Sequence, residues 1–309
     1  MQSIRNATVR ALFTAPLLLL SGCGKVLDIP DDPKLAQGPW SCLDNPRQAS
    51  APAGETAIVR IQACNFVSTN CAEPATGITA KLCDKKDVTC ANPIEPKISD
   101  TDGALVFEVQ TGGVLGVGFD GYLQIVPPLE KCTNRDVFGA AGPVLCGFAP
   151  GCDQAAPDER CNVPLYAPTF FFFNPAIKAD VTKPMPLPLV PTSAVLSLIE
   201  ASGVNFDPTT GMVFVTALDC NGNPASGVSF NVDKYQDRVT PLYVDSGVVS
   251  STVTQTDVSG VGGFVGVPSG FIGVEGSLID NEGNARRLGD VGLQVTSFNV
   301  TYSTVVPSL

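Results

Sequence analysis

Pro224-Ala225-Ser226-Gly227-Val228-Ser229 restates an earlier stretch of the same chain, Pro74-Ala75-Thr76-Gly77-Ile78-Thr79, with only Ser/Thr and Val/Ile exchanged. Proline and glycine at fixed offsets mark a turn, and the β-branched residue after the glycine opens a strand. A cysteine, Cys71 or Cys220, lies just ahead of each copy. Downstream, Thr101-Asp102-Gly103 through Phe107 matches Thr256-Asp257 through Gly260 and Phe264. Two ordered matches in one chain indicate a duplicated unit. Because the copies lie 150 residues apart, the duplication carries a large insertion.

Outward from these anchors, short apolar runs bounded by turn residues predict strands. The first unit offers Ala57–Ala63, Gly77–Leu82, Leu105–Val109 and Tyr122–Val126. The second offers Met212–Leu218, Val228–Val232, Phe264–Val267, Val274–Ile279 and one long run, Val291–Tyr302. Pro164–Phe173 reads as a further strand of the first unit, its four consecutive phenylalanines serving core or interdomain packing. Residues 178–191 read as a Pro-rich spacer, and Thr192–Ala201, opening on Thr or Ser and ending before Gly203, as one short helix.

Composition agrees with a folded, turn-rich, mostly β chain. Of 309 residues, 30 are Gly and 26 Pro, below the roughly 25–30% that marks disorder, and 44% are hydrophobic. There is no histidine, which excludes Ser–His–Asp and Cys–His catalysis and His-containing zinc sites. Nineteen Lys+Arg against 30 Asp+Glu give a net charge of −11, so nucleic acid is not the expected partner.

The turn-and-strand pattern P-x-x-G-[VI], then T-D-x-x-G and an apolar strand, resembles carboxypeptidase-regulatory-like repeats, which are prealbumin-like β-sandwiches. The resemblance is best over 210–275 and weaker over 57–128. It implies that Gly77 and Gly227 sit in the hairpin leading into the second strand, and that Asp102 and Asp257 shape the next turn. The expected fold is therefore all-β: two prealbumin- or Ig-like β-sandwiches, at 57–178 and 207–309. A disulfide-rich insertion at 130–161 interrupts the first, and residues 179–206 form a linker with the short helix.

The N-terminus reads as an address. Arg5 and Arg10, the apolar stretch Ala11–Leu20 and small residues make a secretory signal at 1–22, too short to span a bilayer stably. Leu20-Ser21-Gly22-Cys23 resembles the lipobox of bacterial lipoproteins. That resemblance implies cleavage after Gly22, a lipid such as palmitate on Cys23, and membrane attachment through that lipid. Gly24 in place of Asp favours the outer membrane, at its periplasmic or surface face. Residues 23–56 then form a lipidated tether, and the mature chain carries 17 Lys+Arg against 30 Asp+Glu, a net −13.

Eleven cysteines are odd for an exported chain, but setting Cys23 aside leaves ten. These are Cys42, Cys64, Cys71, Cys83, Cys90, Cys132, Cys146, Cys152, Cys161 and Cys220, an even set expected to form disulfides. Their spacings are too wide for a Cys-only zinc site, and about 945 connectivities remain open. Because nine lie between Cys42 and Cys161, Cys220 is expected to bond back to one of them, clamping the two units together.

Other motifs have plain readings. Gly116-Val117-Gly118-Phe119-Asp120-Gly121 matches G-x-G-x-x-G but precedes a strand rather than a helix, so a turn is expected and no dinucleotide. Asp100-Thr101-Asp102-Gly103 and Asp280-Asn281-Glu282-Gly283-Asn284 resemble calcium-loop fragments. Position 12 from each, Thr111 or Val291, supplies no carboxylate, and no metal or other cofactor is expected. No G-x-S-x-G or S-x-x-K motif offers a nucleophile. The function expected is a non-catalytic envelope lipoprotein whose sandwiches bind polysaccharide, peptide or an envelope protein. A structural or assembly component of an envelope complex is the alternative, and a secreted carboxylate-based hydrolase the third.

Overall fold

The computed structural model describes residues 39–43, 56–66, 71–111, 118–133, 160–201, 203, 207, 209–245, 247–279 and 285–307. The signal segment, Cys23, Cys146, Cys152 and the Asp280–Asn284 stretch lie outside the described residues.

In the first unit, β1 (Thr56–Asn65), β2 (Thr79–Asp84), β3 (Glu95–Ile98), β4 (Ala104–Gln110) and β5 (Gly121–Val126) precede a two-stranded ribbon, β6 (Leu129–Thr133) with β7 (Arg160–Pro164). β8 (Thr169–Phe172) and β9 (Met185–Leu189) complete it, and α1 (Thr192–Ala201) leads to the second unit. There follow β10 (Thr210–Ala217), β11 (Val228–Val232), β12 (Thr240–Asp245), β13 (Val248–Ser250), β14 (Val261–Pro268), β15 (Gly270–Ile279), β16 (Ala285–Val295) and β17 (Val300–Val305). The fold is all-β with one short helix.

The pairing shows the duplication directly. β1 pairs antiparallel with β4 and parallel with β9, as β10 does with β14 and β17. β2 pairs with β5 and β5 with β8, as β11 does with β15 and β15 with β16. Each unit is thus a sandwich of two sheets. The two are fused: β8, at the edge of one sheet of the first, pairs in parallel with β17 of the second through Thr169↔Val300, Phe170↔Thr301 and Phe171↔Tyr302. The result is one nine-stranded sheet, β13-β12-β14-β10-β17-β8-β5-β2-β3, flanked by β4-β1-β9 and β11-β15-β16. Fusion removes two open strand edges that would otherwise invite pairing with other chains.

Two cores follow from the period-2 alternation of side chains. Phe171 and Phe173 enter a core with Val59, Ile61, Phe107 and Leu123, while Phe170 and Phe172 enter the other with Phe230, Phe264 and Leu293. Because β8 is covered on both faces, its sequence is continuously apolar rather than alternating. All four phenylalanines are 4–6% exposed, so the run is core. Each core draws residues from both units, and Phe66 of the first reaches Phe214 of the second, ring centroids 5.1 Å apart.

Three expectations need correction. Residues 185–189, read as part of a spacer, form β9, so the first sandwich extends past 178. Pro186 and Pro188 disguised it; they are tolerated because β9 is an edge strand. The single run Val291–Tyr302 is two strands separated by a turn in which Phe298 has φ +60° and its N–H donates to the Thr210 carbonyl. The second match between the units is shifted by two residues: Ser99-Asp100 through Gly103, rather than Thr101-Asp102, corresponds to Thr256-Asp257 through Gly260.

Hydrogen bonds establish that shift. The Ala63 N–H donates to the Gly103 carbonyl as Ala217 does to Gly260, 2.8 Å each. Ser99 Oγ donates to the Ala75 carbonyl and accepts from the Ile78 N–H, just as Thr256 Oγ1 does with Ala225 and Val228. Asp100 Oδ1 accepts from the Asp102 and Ala104 amides, and Asp257 Oδ1 from Ser259. Asp102 thus decorates the turn that Asp100 makes. Gly77 and Gly227, at φ +69° and +82°, occupy the left-handed region just ahead of β2 and β11, but in connections that cross from one sheet to the other rather than in the expected hairpins, since β1 and β10 do not pair with the strands that follow them.

Candidate functional site

Three disulfides join described cysteines. Cys64–Cys71 and Cys83–Cys90 each span seven positions and staple local turns in the first unit. Cys42–Cys220 spans 178 positions. Cys220 therefore does bond back to the 42–161 region, but to the segment ahead of the first sandwich rather than to the sandwich itself. The units are held together by the β8–β17 seam, and the disulfide ties residues 39–43 to the second unit. There the Cys220 N–H donates to the Pro39 carbonyl at 2.9 Å, and Trp40, 7% exposed, enters the second core. Cys132 and Cys161 lie on β6 and β7.

The disulfide-stapled 84–90 loop forms one wall of a shallow aromatic cleft at the junction of the units. Its floor is Tyr122 on β5 with Phe170 and Phe172 on β8; Phe271 and Gln294, on β15 and β16, form the opposite wall, with Lys85 and Val88 on the loop. Tyr122 stacks on Phe172 with centroids 5.0 Å apart and meets Phe170 edge-on at 5.6 Å. Its hydroxyl donates to the Asp87 carbonyl, which fixes the loop over the ring. Burial, and secondarily the Asp87 charge, push the Tyr122 phenol above its usual value, so it stays a neutral donor. The Asp87 carboxylate accepts from the Ala91 and Asn92 amides and Thr89, and is held below the usual carboxylate range chiefly by the Asn92 bond.

The cleft encloses only about 20 Å³, room for a single water. It is a surface rather than a chamber. Phe271 and Val88 are each 54% exposed at its rim, and Lys85 pairs with Asp120 at 3.2 Å beside them. A half-exposed ring flanked by ammonium, amide and carboxylate groups can stack on a flat apolar face while offering hydrogen bonds around it. Nothing in the sequence marked Phe271, because a lone aromatic in an alternating strand reads as core; its exposure arises because it covers Gly292 on the neighbouring strand. A second cleft of similar volume, between α1 and β10, is lined by Val195, Ile199, Met212 and Phe298.

The motifs expected to be inert have local structural roles here. Gly118 and Gly121 lead directly into β5. Asp100 spends its carboxylate on backbone amides of its own turn. Among the described residues, no cluster of three or more carboxylate or thiol groups is placed to hold a metal, and no helix is long and apolar enough to cross a membrane.

No protein family and no curated protein matches the sequence. Solved structures give distant superpositions. The shaft pilin SpaA from Lactobacillus rhamnosus GG is 11% identical, with a TM-score of 0.25 over 82% of this chain and 98% of that one. The D312A form of BcpA, the major pilin subunit of Bacillus cereus, is 10% identical, with a TM-score of 0.22 over 82% of this chain and all of that one. The Bacillus anthracis TIE protein is 9% identical at a TM-score of 0.22, and this chain spans 34% of its length. Overlap this low carries no argument about fold or role, and the β-sandwich assignment stands on the strand pairing itself.

Proposed function

We propose that this chain is a non-catalytic envelope lipoprotein, attached to a membrane through a lipid on Cys23, whose fused sandwiches present one rigid binding surface. The observation that carries the reading is the nine-stranded sheet shared by both units, with cores that each draw on both. Two sandwiches joined only by a linker would move independently; a continuous ladder holds their loops and the aromatic cleft in fixed relation. Three disulfides, two local and one long-range, suit an exported chain in an oxidising compartment. The Cys42–Cys220 bond also fixes where the tether leaves the body: at the second sandwich, although the first follows it in sequence. Gly24 after Cys23, in place of Asp, supports an outer-membrane address for this lipoprotein.

The cleft around Phe271 is the contact patch we assign to a ligand with a flat apolar face and peripheral hydroxyls or amides, as in a polysaccharide or a peptide. The test is binding of glycan arrays and envelope extracts by the mature protein and by Phe271→Ala. Ligand capture lost in the variant, with unchanged melting, supports the reading. Equal capture by both removes the cleft from it. A stoichiometric envelope protein that copurifies with both forms favours a structural, spacer role for the same rigid body. Metabolic palmitate labelling tests the anchor: Cys23→Ser should abolish the label, and label persisting in the variant contradicts the lipidated address.

A further inference from the structure

The register of the β6–β7 ribbon places Cys132 directly opposite Cys161, between the pairs Lys131↔Asn162 and Thr133↔Arg160. We propose that these two cysteines are joined by a cross-strand disulfide.

The backbone geometry permits the bond. Directly opposed residues of an antiparallel ladder have Cα atoms about 4.5–5.5 Å apart and share a face of the sheet. Disulfides span Cα separations of roughly 4.4–6.8 Å. The other cysteines do not compete for these partners: Cys42, Cys64, Cys71, Cys83, Cys90 and Cys220 are already paired among themselves. With Cys23 set aside for the lipid proposed above, on which this step rests, four cysteines are left, and the ladder sets two of them, Cys132 and Cys161, directly opposite each other.

There is also a physical need for the bond. β6 and β7 form a separate sheet of only two strands, and an isolated pair is marginal in water. They are far apart in sequence, so bringing them together costs the closure entropy of a long loop. A covalent rung at the ribbon's far end, next to the final pair Thr133↔Arg160, removes much of that cost by closing the loop in the unfolded chain as well.

Formation balances as thiol–disulfide exchange. The two thiols of Cys132 and Cys161 lose two electrons and two protons to a disulfide donor of the export compartment, which leaves as a dithiol.

The sequence supplies its own readout, because trypsin cuts after Lys131, Arg135, Arg160 and Lys178 and so isolates 132–135, 136–160 and 161–178. The full-length exported protein is acid-quenched, blocked with an alkylating reagent and digested without reductant. The expected product is 132–135 linked to 161–178, with 136–160 in a separate species. A species joining 136–160 to either neighbour, or alkylated Cys132 and Cys161, overturns the pairing. The Cys132→Ser variant gives a second reading: one new alkylation site on 161–178 supports the bond, whereas one on 136–160 refutes it. Palmitate labelling of Cys23 is scored separately, so failure of the anchor and failure of the pairing are distinguishable.

Discussion

Replacing Cys220 with Ser cuts the Cys42–Cys220 bond while leaving every strand intact, and its cost can be estimated. The bond closes a loop of 178 positions, for which the chain-entropy model gives about 5 kcal/mol of stabilisation at 25 °C. Both half-cystines are buried, at 8% and 9% exposure, and Trp40, two positions before Cys42, is packed in the second core. Releasing that indole forfeits roughly 2 kcal/mol of apolar burial where the segment detaches. Because 1 kcal/mol shifts melting by about 2–4 °C in a domain of 150–250 residues, the expected fall is roughly 15–30 °C. Calorimetry of Cys42→Ser, Cys220→Ser and the double variant checks this. All three should melt together, since each removes the same bond and coupled changes are not additive. Variants melting within about 1 °C of the parent, or a double variant costing twice either single, refute the docking of residues 39–43 as a covalent part of the fold.

Further perturbations probe the rest of the account. Gly260 sits at φ +69° with a substituent's Cβ aimed 2.6 Å from the Ala217 carbonyl oxygen and 2.8 Å from the Ala225 nitrogen; Gly260→Ala should cost about 2–4 kcal/mol by urea titration, against about 1 kcal/mol for Gly222→Ala, which has φ +77° but open space. Tyr302 Oη is buried with no hydrogen-bond partner among the described residues, so Tyr302→Phe should leave stability unchanged or raise it by about 1 kcal/mol, and a loss of 2 kcal/mol or more would reveal a partner. Burial raises the Tyr122, Tyr243 and Tyr302 phenols, Tyr302 most strongly. Such groups stabilise the fold fully below the unfolded tyrosine value of about 10, and that contribution is lost as pH climbs from there through the folded values. Ultraviolet titration at pH 10.5 should therefore show fewer tyrosinates in the native protein than in urea, and equal ionisation would contradict the burial.

The duplicated P-A-[ST]-G segments located both sandwiches because part of their meaning is local: a glycine in the left-handed region just ahead of a strand. The strands flanking them were legible for the same reason, each alternating or apolar run carrying its own period. What escaped depended on neighbours far away in sequence. β9 looked like a spacer because Met185-Pro186-Leu187-Pro188-Leu189 has the composition of a linker, and only its edge position beside β1 makes two prolines acceptable. The two-residue shift in the second match arose because Thr101-Asp102 mimics Thr256-Asp257 in letters, whereas the buried hydroxyl that bridges two backbones belongs to Ser99. The Phe170–Phe173 run announced burial but not the fused sheet that requires it. Phe271 was silent, since no local pattern distinguishes an aromatic that shields a cross-strand glycine from one that fills a core.

Native-state hydrogen exchange at the β8–β17 seam tests the shared sheet most directly. If one sheet unites the sandwiches, the amides that bond β8 to β17 across Thr169↔Val300 through Phe171↔Tyr302 exchange only with global unfolding, as slowly as those within β10 and β14. Seam amides that exchange orders of magnitude faster than the strands on either side would mean that the two sandwiches separate freely, and would contradict the single rigid body.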